Sequence, residues 1–181
     1  MRIDNNKIFY GYKCFNKGLI NRKGRKFETG KIYHTIGKVK YGNKGNGFHV
    51  AKHLEDTLKF FTKDDDKGNT IMNEDIDIAY VKCYGNYDDI PNTYANEYAG
   101  DYDMYAYEYM EIEKVLTREE IIKYALNLYS DRLQRFLMYF KLTDEEKEMF
   151  KQIFKNNNNI LDYIAYYQDN DKELFQRKKV K

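Results

Sequence analysis

The chain has 181 residues, with 31 Lys and Arg against 29 Asp and Glu, and is 42% hydrophobic and 17% aromatic. That is enough for one packed domain, or a domain with a helical appendage, and it excludes a disordered tail. No run approaches the roughly 18–20 apolar residues of a membrane span and the opening residues lack a secretory profile, so a cytoplasmic protein without membrane contact is expected.

Short β-type runs at Ile8 to Cys14, Lys31 to Thr35, Lys38 to Tyr41 and Gly47 to Ala51, broken by glycines, predict hairpin-rich sheet from Ile8 to about Val50. Ile36-Gly37 is placed to turn one run into the next, and Gly42 to Gly47 reads as a loop. Leu54, Leu58 and Phe61 form an apolar stripe that predicts a helix over 52–62, stopped by the polar run from Lys63 to Asn69. Ile76 to Tyr84 alternates as a strand. A polar loop containing Pro91 leads to a long strand over Asp103 to Val115, where Asp103, Tyr105, Tyr107 and Tyr109 share one face and Met104, Ala106, Glu108 and Met110 the other.

From Thr117 the apolar period lengthens to that of a helix. Thr117-Arg118-Glu119-Glu120 and Thr143-Asp144-Glu145-Glu146 both have the capping-box spacing, in which a threonine hydroxyl and a glutamate satisfy the first free amides. Between them Ser130-Asp131 opens a helix carrying Leu133, Phe136, Leu137 and Phe140, and after Asn156 to Asn159 the residues Ile160, Leu161, Ile164, Ala165 and Tyr167 stripe a fourth. The fold class is therefore α+β: a mostly antiparallel, hairpin-rich N-terminal sheet with one helix, over 1–115, then a bundle of about four helices, over 116–181, packed on it or continuous with it.

Charge is unevenly spread. Residues 1–45 hold 12 basic and 2 acidic side chains, whereas residues 72–113 hold 1 basic and 11 acidic, among nine tyrosines between Tyr80 and Tyr109. The two segments either neutralise each other within the fold or present a charged face to a partner. Tyrosine buries a flat ring while keeping its hydroxyl wet, which suits a binding surface. Tyr84, Tyr87, Asp88, Asp89, Tyr94, Glu97, Tyr98, Asp101, Tyr102, Asp103 and Tyr105 are accordingly the expected contact residues, imitating the charges and bases of a nucleic acid. Arg22, Lys23, Arg25 and Lys26 form a rival basic surface that suits direct contact with nucleic acid.

Motifs of catalysis are sparse. Cys14 and Cys83 are far apart without a C-x-x-C spacing, which argues against a disulfide framework and a thiolate zinc site. His49 and His53 are four apart but do not share a helix, and no third ligand is dictated, so no metal is expected. Nucleophile-elbow, P-loop and Rossmann spacings are missing. Glu111 and Glu113 share a strand face, as a coupled pair or as exposed acids.

The order Tyr12-Lys13-Cys14-Phe15, Gly30-Lys31-Ile32-Tyr33 and Gly47-Phe48-His49-Val50-Ala51 resembles the K-G-F, G-K-x-Y and G-F-H pattern of an uncharacterised domain family frequent in phages, prophages and Firmicutes. Cys14 and Ala51 depart from that pattern. The resemblance implies a phage- or prophage-type protein that binds a host protein or nucleoprotein complex stoichiometrically, such as an inhibitor of a defence complex, without cofactor or catalysis. A fainter similarity to ADP-ribosyltransferases implies an alternative NAD-dependent enzyme. There His34 would orient the NAD ribose, Phe48 or Phe61 would stack the nicotinamide, and Glu108 or Glu113 would stabilise the transition state.

Overall fold

The computed structural model describes residues 8–42, 45–61, 63–64, 70–71, 75–89 and 103–169. The chain divides into two compact units, 1–61 with 75–117, and 62–74 with 118–181.

The first unit is an antiparallel barrel. Its strands are β1 (Phe9–Asn16), β2 (Ile32–His34), β3 (Phe48–Ala51), β6 (Ile76–Asp89) and β7 (Met104–Val115), with a single helical turn α1 (Glu55–Leu58) and a 3-10 turn (Lys59–Phe61) after β3. One edge of β7 pairs with β6 and the other with β3 and then β2, while β1 pairs with both β6 and β3. The ring β1-β6-β7-β3 thus closes on itself and leaves few open edges. Of the five strands only β6 and β7 are consecutive partners, so this sheet is built from long-range pairings rather than the expected hairpins.

Alternation explains most of the core. Ala79, Val81 and Cys83 of β6 join Phe15, Phe27, Tyr33, Phe48 and Val50 in one buried cluster inside the ring. Tyr107, Met110 and Ile112 join it too, and since 107 and 110 are three apart, period two fails between them. The expected face assignment along β7 is corrected here. β6 is shifted in register between Tyr84 and Tyr87, with Gly85 at φ +84°. A Cβ on Gly85 would sit 2.8 Å from the Tyr109 ring, which is why the bulge takes glycine and why β6 continues to Asp89 instead of stopping at Tyr84.

Lys38 to Tyr41 does not form a strand; it contributes a lone bridge, Lys40 to Asn46. The Asn46 amide donates to the carbonyls of Ile36 (2.7 Å) and Lys38 (3.4 Å), so a side chain satisfies groups that a ladder would otherwise claim. The expected helix over 52–62 is shortened to α1 and its 3-10 turn.

Among the described residues the second unit contains the short pair β4 (Lys63–Asp64) and β5 (Thr70–Ile71) and four helices: α2 (Arg118–Leu126), α3 (Ser130–Tyr139), α4 (Asp144–Ile153) and α5 (Asn158–Tyr163), the last running into a π turn (Ile164–Gln168). The capping box at Thr143 is formed in both directions with Glu146. Leu133, Phe136, Leu137, Phe150, Ile160 and Ile164 are fully buried. Gln168, also buried, accepts from Leu142 N–H (3.0 Å) and donates to the carbonyls of Leu137 (2.5 Å) and Phe140 (2.9 Å). These are end-of-helix groups with no partner within α3. Among the described residues no helix is long and apolar enough to cross a membrane.

Candidate functional site

β1 and β3 meet at one pair, Tyr12 with Ala51. Gly11 permits that approach, because a Cβ there would overlap the Ala51 carbonyl. Beyond it the ladder stops, and Lys13 to Phe15 face Phe48 to Val50 across an open seam. A cavity of about 870 Å³ occupies this seam, with Phe27, Phe48 and Val50 in its walls and Phe60 and Phe61 beside them.

Lys13 occupies an inward position between Gly11 and Phe15. Its Nζ donates to the His49 carbonyl at 2.6 Å and lies 5.6 Å from the Phe15 ring centroid. No carboxylate pairs with it among the described residues. The residue retains some exposure to the cavity, but its ammonium is ringed by protein, and this burial lowers it to about 8, the Cys83 and Cys14 thiols acting the other way.

The basic turn beside it is held by its own asparagine. The Asn21 side-chain oxygen accepts from Lys23 N–H (3.0 Å) and Arg25 N–H (2.9 Å), and Asn21 N–H donates to the Arg25 carbonyl (2.9 Å). That is an Asx turn, which the sequence reading missed although Asn21 precedes the basic run. Arg25 spreads over the rings of Phe27 and Tyr33, 5.2 and 5.3 Å from their centroids. Arg22, Lys23 and Arg25 all line the cavity, whereas Lys26 bridges to Ile20 at the base of the turn and does not. Lys59 lines the far side. Five cations therefore surround the seam, and its lining contains no Asp or Glu among the described residues.

His49 reports this field. Its Nε2 accepts from Gly42 N–H at 3.1 Å, which only the neutral ring does, and burial together with the charges of Lys13 and Lys23 lowers it to about 4. Tyr41 packs edge-on against the His49 ring at 4.9 Å, donates its hydroxyl to Met104 Sδ, and gives its N–H to Asp88 (2.8 Å), so this loop wall is pinned from three sides. Cys14 and Cys83 are free and buried; burial pushes both thiols up, Cys83 to about 12, so neither is a nucleophile near neutrality.

Of the expected acidic face, the described residues divide between the barrel interior and its surface. Tyr87 and Tyr105 turn inward toward Tyr107 and Phe9, with ring centroids 5.0 to 5.4 Å apart in the closest pairs. Tyr84 stacks on Tyr109 at 5.0 Å on the outer face. Asp88 anchors Tyr41, Asp103 lies 3.5 Å from His53 and 3.6 Å from Lys52, and Asp89 is exposed. Tyr94, Glu97, Tyr98, Asp101 and Tyr102 lie outside the described residues.

For the NAD alternative, the fold brings His34 and Glu108 together and leaves the other residues elsewhere. His34 Nε2 is 3.3 Å from Glu108, and its ring stacks on Tyr109. The second Glu108 oxygen accepts from the Asn86 amide groups at 3.0 and 2.7 Å, and the Asn86 backbone bond leads the effects that hold its carboxyl below the ordinary value. This pair sits on the outer face, Phe48 in the barrel core and Phe61 at the seam. Glu113 is exposed at the second register shift of β6 and β7, where Tyr80 faces Lys114 and Val81 faces Ile112; Glu111 pairs with Lys82 at 3.8 Å. No group of three or more His, Cys, Asp or Glu is placed to hold a metal ion among the described residues.

Every cavity residue named above except Met104 falls in a stretch that has recognisable relatives. No curated protein and no solved structure matches the chain. Residues 9–91 match the family model described as Domain of unknown function (DUF7666).

Proposed function

We propose that the barrel unit is a non-enzymatic binding module whose seam takes a phosphate-bearing polyanion, single-stranded nucleic acid being the ligand class. The observation that carries this is a cavity lined by Lys13, Arg22, Lys23, Arg25 and Lys59 without one carboxylate among the described residues. A buried ammonium lacking an anionic partner is costly, so an anion entering the seam gains more there than on an open surface. Phe60 and Phe61 line the same cavity as the cations, and cations together with aromatic rings suit the backbone and bases of a single strand. In a phage- or prophage-type setting such a module acts stoichiometrically in the cytoplasm on a host nucleoprotein complex, gripping its nucleic acid.

A second reading, docking of a host protein on the Tyr- and Asp-rich surface, is favoured by exposed Asp89 and by the outer ring ladder His34, Tyr109, Tyr84. Anisotropy of a labelled single-stranded oligonucleotide separates the two. Arg22→Ala with Lys23→Ala weakens binding under the first reading, while Asp89→Asn leaves it unchanged or tighter. Binding that ignores the basic pair, with capture of a host protein lost in Asp89→Asn, reverses the order of the two readings.

A further inference from the structure

We propose that Lys13 is a carbonyl-capture site: an aldehyde carried on a phosphorylated ligand enters the seam and forms an imine with Lys13 Nζ. The inference rests on the anion-binding reading and names what the anion carries. Three placements support it.

The amine lies at an inward position, in a cavity that Arg22 and Lys23 also line, so a phosphate entering with the aldehyde meets cations there. Its single hydrogen bond among the described residues runs to a carbonyl, which accepts equally from an ammonium, a neutral amine or a protonated imine, so the bond survives the reaction. Among the described residues no carboxylate fixes it as an ammonium, and burial already favours the neutral, nucleophilic form. The competing groups are blocked, since both thiols are held protonated and the Nε2 lone pair of His49 is occupied by Gly42 N–H.

The chemistry balances without a redox partner. The Nζ lone pair attacks the carbonyl carbon, the oxygen takes up the proton that nitrogen gives up, and the carbinolamine expels this oxygen as water to leave the C=N bond. The apolar wall of Phe27, Phe48 and Val50 on one side of the cavity limits the reverse attack by water. Two sources share this chemistry, a free phosphorylated aldehyde and the open-chain sugar of an abasic site in a nucleic-acid strand.

The test incubates the intact protein with pyridoxal 5′-phosphate in one arm and a single-stranded oligonucleotide bearing one abasic site in the other, reduces with borohydride, and maps the adducts by peptide mass. Expected is at least about a tenfold enrichment on Lys13 over exposed lysines such as Lys31, loss of that enrichment with pyridoxal lacking the phosphate, and protection by excess undamaged oligonucleotide. The arm that labels more completely identifies the source. Lys13→Arg, which keeps the cation but forms no stable imine, removes the adduct. Labelling spread over surface lysines with Lys13 no richer, while undamaged oligonucleotide still binds, overturns the capture site and leaves the anion site standing. Absence of oligonucleotide binding together with selective Lys13 labelling by pyridoxal phosphate keeps the capture site for small aldehydes and removes the nucleic-acid reading.

Discussion

Lys13 Nζ reaches across the open seam to the backbone carbonyl of His49, 2.6 Å away, and so ties β1 to β3 where their ladder has already ended. A charged hydrogen bond contributes about 1.5–3 kcal/mol, whereas enclosing an ammonium without a counter-ion costs several kcal/mol. The second effect wins, and Lys13 destabilises the barrel it spans.

Lys13→Met, of similar length and no charge, is therefore expected to stabilise the protein by about 1 kcal/mol while weakening oligonucleotide binding at least about tenfold. Opposite shifts in stability and affinity mark a residue kept for binding. Parallel losses of both, measured by denaturant unfolding and anisotropy, would mark a structural tether instead.

The same burial sets two pH windows. His49 stays neutral in the fold down to about 4 but takes a proton near its ordinary value, about 6.5, when unfolded. The unfolded chain binds more protons between those values, so His49 contributes stability above about pH 6.5 that is lost progressively toward pH 4. Lys13, lowered to about 8, obeys the same sign, and its penalty at neutral pH is relieved as pH rises from about 8 toward 10.5. Thermal midpoints of wild type and His49→Gln across pH 4–7 check the first window; equal slopes for the two would contradict it.

Gly11→Ala is expected to cost about 1–3 kcal/mol, because the new methyl meets the Ala51 carbonyl and forces the only β1 to β3 pair apart. Unfolding in urea measures it. A neutral substitution would show that the seam is already loose at its closed end.

In the helical unit, Leu137→Ala is expected to cost about 2–5 kcal/mol, since Leu137 is fully buried. Gln168→Leu removes the partner of two carbonyls and one amide at the end of α3, at about 1–3 kcal/mol for each group left unsatisfied in the interior. An effect below about 0.5 kcal/mol at Gln168 would mean that water reaches these groups.

The sheet was legible wherever burial enforces a simple period. Ala79, Val81 and Cys83 fall on one face as their alternation predicts, and Thr143 with Glu146 forms the cap that their spacing predicts. The phase of β7 was not legible, because it turns on a bulge at Gly85 in another strand. The basic turn was visible as Arg22, Lys23 and Arg25, but its partner was not. Phe9, Gly11, Lys13 and Phe15 share one face at period two, and a lysine in that row between a glycine and an aromatic was the available signal. Net charge conceals it, since it counts Lys13 with the exposed lysines around it. Within the Tyr-rich segment Tyr87, Tyr105 and Tyr107 pack at the barrel end while Tyr84 stacks on Tyr109, a division that composition alone does not reveal.

The central claim, that the seam is an anion site, is tested most directly by the salt dependence of oligonucleotide binding. Each phosphate neutralised on a single strand contributes about −0.7 to the slope of log affinity against log salt. With three to five of the seam cations engaged, the account predicts a slope of about −2 to −3.5, made shallower by about 1.4 in Arg22→Ala with Lys23→Ala. A slope near zero, or one that the double substitution leaves unchanged, would contradict it.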